Sequence, residues 1–183
     1  YMTNKISQKI IYKYPKILLT GGTGQVGQEL RHMLQPLGEV WSPNRKYFNL
    51  AESESLRQKI RDYQPDLIVN TAAYTEVDQV ELNSELAYSV NVESPRILAE
   101  EACNLKIPLI HYSTDYVFDG IKREPYTESD KTNPINVYGK TKLEGEMAIQ
   151  ESHGQYLILR TSWVYNLTRG RNFYTTMLRL FQE

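Results

Sequence analysis

The sequence predicts an α/β fold: a doubly wound parallel sheet of Rossmann-like type, with about five strands and helices on both faces. Three observations predict it. Short apolar runs alternate along the chain with amphipathic polar stretches, the rhythm of βαβ units. Parallel strands need crossover connections, which are right-handed in nearly all proteins and so bring helices to both faces of the sheet. A glycine-rich turn, Gly21-Gly22-Thr23-Gly24-Gln25-Val26-Gly27, stands between the first apolar run and the first helical stretch, the place where such sheets hold ligands.

The elements follow in order. Residues 1–15 read as a loose polar lead-in and residues 16–183 as one domain. Strands are expected over residues 16–20, 39–43, 67–71, 109–113 and 156–161, each short, branched or leucine-rich, and bounded by turn residues. Helices are expected over about 24–34, 53–63, 84–105, 134–151 and 172–181. Leu30, Met33 and Leu34 give the first helix its spacing, and Leu86, Val90, Ile97 and Leu98 the third. The fourth is expected to open at Asn133-Pro134, because proline costs nothing in a first helical turn.

Composition narrows the function. A chain of 183 residues with 40% hydrophobic and 23% charged residues can bury one core. Its net charge of −1 supplies no basic field for nucleic acid or an anionic membrane, so neither is an expected partner and any anion must be held locally. Apolar runs such as Ile17-Leu18-Leu19 are far shorter than the roughly 20 residues of a spanning helix. Cys103 is the only cysteine and can form neither an internal disulfide nor a cysteine zinc site, so the expected compartment is reducing and cytoplasmic. Tyr1 before Met2, and a helical pattern still running at Phe181-Gln182-Glu183, read as a fragment.

Chemistry concentrates in two places. In the turn, Gly21 permits a sharp exit from the strand, Gly24 lets the backbone approach a pyrophosphate, and Gly27 lets the helix pack close. Free amides at the helix start then hold the anion. An acid about twenty residues further on commonly holds the adenosine ribose of NAD. Here the chain reads Pro43-Asn44-Arg45-Lys46. Arg45 and Lys46 either accept a 2′-phosphate, which leans toward NADP, or stand as solvated loop charges. The second place is Tyr138-Gly139-Lys140-Thr141-Lys142. Four residues apart on a helix, the Tyr138 hydroxyl and the Lys142 ammonium can converge on one ligand. The ammonium is expected to lower the phenol from its usual value of about 10, giving a proton donor for a carbonyl under reduction. Ser113 and Thr114, at the end of the fourth strand, are placed to support the carbonyl oxygen. With 14 tyrosines in the chain, the Tyr/Lys spacing gains its meaning from the glycine turn beside it.

These residues resemble the extended short-chain dehydrogenase/reductases and, within them, the dTDP-4-dehydrorhamnose reductases. The resemblance runs in the right order over residues 16–180. Its most specific pieces are Asn70-Thr71-Ala72-Ala73-Tyr74-Thr75-Glu76-Val77-Asp78, Ser113-Thr114-Asp115-Tyr116-Val117-Phe118-Asp119-Gly120, Pro134 to Lys142, and Leu159-Arg160-Thr161-Ser162-Trp163-Val164-Tyr165. It implies Thr114, Tyr138 and Lys142 as the catalytic set, with Tyr138 the general acid and Lys142 also holding the nicotinamide ribose. It implies a cofactor, NADPH or NADH, lined by Gly21, Gly24, Gln25, Val26, Gly27, Arg45, Asn49, Leu50, Ala72, Ala73, Tyr74, Thr75 and Tyr112. A dTDP-sugar would meet Thr114, Asp115, Trp163 and Val77, and a homodimer is the expected assembly. The implied reaction reduces the 4-keto group of a dTDP-6-deoxyhexulose to dTDP-L-rhamnose. The rival readings are a dinucleotide-binding regulatory subunit, like that of methionine adenosyltransferase, and an epimerase or dehydratase of the same superfamily.

Three departures stand out against that family. Asn44 and Asn49 occupy positions where aspartate is common near the adenosine, Asn166 replaces a glycine, and the family's C-terminal substrate region lies beyond this sequence. Elsewhere the reading is bland. Cys103 reads as a packed small side chain, His32, His111 and His153 have no metal-ligand spacing, and Asp78 and Glu81 suit a helix N-terminus.

Overall fold

The computed structural model describes residues 14–75, 83–165 and 172–182. Most of the polar lead-in, together with Glu76 to Asp78, Glu81 and Asn166, lies outside them. The order is β1 (Lys16–Thr20), α1 (Gln25–Met33), β2 (Glu39–Trp41), α2 (Ser53–Tyr63), β3 (Leu67–Asn70), α3 (Ser84–Tyr88), a π turn (Ser89–Glu93), α4 (Ser94–Leu105), β4 (Leu109–Thr114), a 3₁₀ turn (Asp115–Val117), α5 (Val137–Glu151), β5 (Tyr156–Thr161) and α6 (Phe173–Leu180).

All strand pairings are parallel, in the order β2-β1-β3-β4-β5. The chain leaves β2 at one edge, crosses over β1 and continues outward from β3. The order therefore reverses between β1 and β3, and a crevice opens beyond their C-terminal ends.

Alternation along the strands divides the core. Leu18, Ile68 and Leu109 pack with Leu56 and Ile60 of α2, Ile97, Leu98 and Ala102 of α4, and Ile149 of α5. Ile17, Leu19 and Val69 face the other way, toward Leu30 and Leu34 of the α1 region. Burying one such aliphatic side chain stabilises the fold by about 1.5–3 kcal/mol, so the three-helix face carries most of the apolar stabilisation. Glu101 ties α4 to α2 there, accepting from Arg61 at 2.7 and 2.8 Å and from Arg57 at 3.1 Å.

The expected elements are all present, with corrections at their ends. β2 stops at Trp41, two residues before Pro43, which has no N–H to give a ladder. β3 stops at Asn70, whose Oδ1 accepts the Ala72 N–H at 3.2 Å and turns the chain. β4 runs on to Thr114 because Thr114 still pairs with Thr161. The expected helix over 84–105 contains the π turn, inside which the buried Asn91 side chain bonds outside its own helix. The helix expected from Pro134 begins at Val137: Asn136 is extended (φ −129°, ψ 166°) and its Oδ1 accepts the Gly139 N–H at 2.7 Å, so asparagine rather than proline starts it.

Candidate active site

The glycine turn leaves β1 through Gly21, whose φ of +72° favours glycine; a Cβ there would lie 2.6 Å from the Ala72 nitrogen. A Cβ on Gly27 would sit 2.1 Å from the Gly21 oxygen, so α1 packs against the turn only with glycine at that position. α1 opens with Gly24 as its N-cap and without side-chain capping. Its first-turn amides are thus left for an anion, in the field of the helix dipole.

A cleft of about 690 Å³ starts at this turn and follows the ends of β1, β3 and β4 to Tyr138 and Trp163. Its walls contain Gly21, Gly24, Gln25, Val26, Gly27, Arg45, Asn49, Leu50, Ala72, Ala73, Tyr74, Thr75, Tyr112, Thr114, Asp115, Tyr138, Lys142 and Trp163. Every expected site residue is therefore on one cleft, except Val77, which lies outside the described residues. At the turn end Arg45 is exposed on the cleft wall; Lys46 is exposed and forms no part of that wall. Asn49 is engaged locally, donating to Glu52 at 2.8 Å and accepting from the Ala51 N–H at 3.2 Å.

At the far end Tyr138 and Lys142 occupy successive turns of α5, and Thr114 closes β4 beside them. The Thr114 hydroxyl donates to Asp115 Oδ1 at 3.2 Å, and its Oγ1 accepts from the Tyr116 N–H at 3.2 Å. The Tyr116 ring meets Tyr138 edge-on at 5.7 Å. Burial pushes the Tyr138 phenol above its usual range; the Thr114 side chain opposes this, and Asp115 and Tyr116 add to it. That corrects the expectation of a lowered phenol. Lys142 does not supply the depressing charge: its ammonium, disfavoured by burial and lowered to about 8 with Glu146 opposing, is lost before the phenol ionises. Lys142 is 1% exposed. Its Nζ donates to the Tyr112 carbonyl at 2.8 Å and lies 3.3 Å from His111 Nε2.

Sequence reasoning missed the support beneath these groups. His111, read as bland, is fully buried and held neutral, first by desolvation and then by the Lys142 charge. Asn91 accepts from the Tyr74 N–H at 2.8 Å and donates to the Tyr74 carbonyl and to Thr141 Oγ1, both at 3.1 Å. It fastens the loop after β3 to α5. The available signal was polarity itself: Asn70, Asn91 and His111 interrupt runs that should be apolar. On the outer rim Ser162 donates to Asp115 at 2.8 Å, and Trp163 meets Phe173 edge-on at 6.0 Å. Among the described residues no group of His, Cys, Asp and Glu could hold a metal, and no helix is long and apolar enough to cross a membrane.

Fold and cleft together define a doubly wound, Rossmann-like domain of the dinucleotide-binding class that carries a Thr, Tyr-x-x-x-Lys constellation. The chain belongs to the family described as the RmlD substrate binding domain, whose model matches residues 15–183. It is 47% identical over 168 residues to a dTDP-4-dehydrorhamnose reductase of Burkholderia thailandensis, covering 92% of this chain and 56% of the relative. It is 46% identical over 171 residues to the Escherichia coli K12 protein of the same name, covering 91% and 57%. The crystal structure of a Bacillus anthracis dTDP-4-dehydrorhamnose reductase in complex with NADP superposes with a TM-score of 0.87 at 36% identity, over 92% of this chain and 60% of that one. The chain thus spans little more than half the length of these relatives.

Proposed function

We propose that this protein is an NAD(P)H-dependent oxidoreductase that reduces the 4-keto group of dTDP-4-dehydro-6-deoxy-L-mannose to dTDP-L-rhamnose, with residues 16–183 as its dinucleotide-binding domain. The observation that carries the reading is the convergence of Thr114, Tyr138 and Lys142 on the cleft that begins at the glycine turn. A dinucleotide fits that cleft: a tight turn that any Cβ at Gly21 or Gly27 would force apart, uncapped helix amides above it, and an arginine at the adenosine end. When bound, it supplies the hydride.

The remaining work falls to the chain. The turn and the α1 amides hold the pyrophosphate. Arg45 meets a 2′-phosphate with a forked guanidinium, which favours NADPH over NADH. Ala72, Ala73, Tyr74, Thr75 and Tyr112 wall the cofactor, and Lys142 holds its nicotinamide ribose. Thr114 supports the carbonyl oxygen as negative charge grows on it, and the Tyr138 hydroxyl delivers the proton that oxygen needs. A phenol pushed upward is fully protonated at neutral pH, the state a proton donor requires before reaction. Asp115 and Trp163, with Val77, face the sugar nucleotide.

A purely regulatory binder has no use for a buried proton donor, so Tyr138 on the same cleft as Thr114 and Lys142 favours catalysis. The reductase names of the relatives at 46–47% identity support this chemistry over epimerisation or dehydration. A cytoplasmic homodimer is part of the same reading, checked by fractionation and sedimentation. The deciding experiment follows NADPH oxidation by the full-length protein with the dTDP-4-keto sugar. Saturable turnover yielding dTDP-L-rhamnose is expected; cofactor binding without turnover would move the protein to the regulatory class.

A further inference from the structure

Beneath the catalytic groups, Thr20, Asn70, His111 and Lys142 form a row across the ends of β1, β3 and β4 and onto α5. Each is at most 2% exposed. Thr20 Oγ1 lies 2.5 Å from Asn70 Oδ1, Asn70 Nδ2 lies 2.9 Å from His111 Nδ1, and His111 Nε2 lies 3.3 Å from Lys142 Nζ. The proton positions in this row can be worked out from its fixed end.

A backbone N–H only donates, and that of Ala72 points at Asn70 Oδ1 from 3.2 Å. This fixes which end of the Asn70 amide is oxygen, and the Thr20 hydroxyl donates to the same atom. The other end, Nδ2, also only donates, so His111 Nδ1 must accept. A neutral imidazole carries one N–H, and with Nδ1 accepting, that proton sits on Nε2, which faces Lys142. Two donors cannot satisfy each other. An ammonium at Lys142 finds no acceptor in His111, whereas the neutral amine has a lone pair for Nε2–H and still donates to the Tyr112 carbonyl.

We propose that His111, held by Asn70 in its Nε2–H tautomer, is a positioning residue that docks Lys142 through a hydrogen bond only the neutral amine can accept. The charged and titratable groups facing the lysine are few. His111 and the Tyr112 carbonyl come from β4, Tyr138 and Glu146 lie one turn away on either side in α5, and the Thr20 and Asn70 end of the row is neutral. Glu146, the acid that would favour the ammonium, is gripped by Arg160 of β5 at 2.7 and 3.0 Å, which offsets its charge. Burial acts in the same direction on both partners, disfavouring the charged forms of Lys142 and His111. The proposal rests on the reductase reading only for its consequence: the lysine that would grip the ribose is mostly ammonium at pH 7 and takes up the His111 hydrogen bond as it loses its proton near pH 8.

The test reads the imidazole nitrogens of His111 by long-range ¹⁵N–¹H NMR in the full-length protein, assigned by difference with His111→Gln. Between pH 7 and 9 the wild-type ring is expected to show an N–H at Nε2 and a bare nitrogen at Nδ1, with the Lys142 side chain titrating below the ordinary lysine range. Asn70→Asp replaces the amide donor with an acceptor. The ring should then carry its proton on Nδ1, offer a lone pair to Lys142, and raise the lysine titration by one pH unit or more. A wild-type Nδ1–H tautomer, a His111 imidazolium at neutral pH, or a folded Asn70→Asp protein with the wild-type tautomer would each overturn the proposal. The wild-type spectrum decides the tautomer even if the variant fails to fold. An Nε2–H ring in a protein without turnover upholds His111 and counts against the reductase reading instead.

Discussion

Along the ends of β1, β3 and β4, the wall of the cleft is closed and internally bonded: Thr20, Asn70, His111 and Lys142 are all buried, and each has a hydrogen-bonding neighbour in the row. Past the end of β5, where Trp163 and Val164 line the cleft, and on into α6, the surface is open and aromatic. Trp163 is 79% exposed, Phe173 62%, and Tyr165, Leu178 and Leu180 stand out beside them. On the first wall a side chain is placed by the same contacts that hold the fold, so a change there costs stability together with chemistry. On the second, side chains are barely paid for by the fold, and a change there should act on recognition alone.

The sharpest test sits where the walls meet. Tyr138→Phe keeps the ring and its edge contact with Tyr116 and removes only the proton donor. Turnover in the full-length protein should fall by roughly 10²–10⁴-fold while NADPH affinity stays nearly constant. Single-turnover kinetics beside a fluorescence titration separates the two, and near-wild-type rates would remove Tyr138 from the mechanism. Glu101, remote from the cleft, isolates the cost of the closed side. Glu101→Gln leaves Arg57 and Arg61 without their shared carboxylate and should lower stability by about 2 kcal/mol at pH 7, below the range for fully buried pairs because both arginines reach solvent. The two arginines hold the Glu101 carboxyl below its ordinary value, the Arg61 hydrogen bond most of all. A depressed acid contributes stability above its unfolded pKa and loses it as pH falls through the folded one. The gap between wild type and variant in urea midpoints should therefore narrow below about pH 4.5; a gap independent of pH down to 3 would break the assignment.

How much of this was legible in the sequence follows the same division. The strands and helices could be read because the sheet is parallel and buried on both faces, which forces short apolar runs such as Ile17-Leu18-Leu19, and because the turn needs glycine at Gly21 and Gly27 for reasons of space. The cleft residues could be read where a motif ties side chains to one local element, as with Tyr138 and Lys142. What escaped depends on pairing across elements. His111 acquires its role only from the register that sets it opposite Asn70 and from α5 bringing Lys142 onto it. The raised Tyr138 phenol likewise follows from burial, which spacing along a helix does not encode. The π turn at Asn91 escaped because its side chain is bonded to Tyr74, seventeen residues earlier in the chain.

A smaller effect is expected at the turn end, where Arg45 is exposed on the cleft wall. Arg45→Ala should weaken NADPH by roughly tenfold, the scale of one charge-assisted hydrogen bond, and leave NADH nearly unchanged. Stability should not move. Equal losses for both cofactors would return Arg45 to the solvated loop charges and remove the preference for the phosphorylated cofactor.

The smallest effect probes the open wall at its most unusual residue. Trp163 holds a φ of +49°, in the left-handed region that costs a side-chain-bearing residue about 1 kcal/mol. An exposed tryptophan does not repay that through burial, and its edge contact with Phe173 is itself at the surface. If the residue is kept for recognition, removing the indole should cost little stability, and removing the Cβ as well should recover the strain. Trp163→Gly is expected to be about 1 kcal/mol more stable than Trp163→Ala, because glycine adopts positive φ freely, while both variants bind the dTDP-sugar more weakly by a similar factor. Urea denaturation of the pair reads the first difference and KM for the sugar reads the second. A Trp163→Ala protein destabilised by several kcal/mol would show that the indole is part of the core, and the contrast between the two walls would fail at the residue chosen to test it.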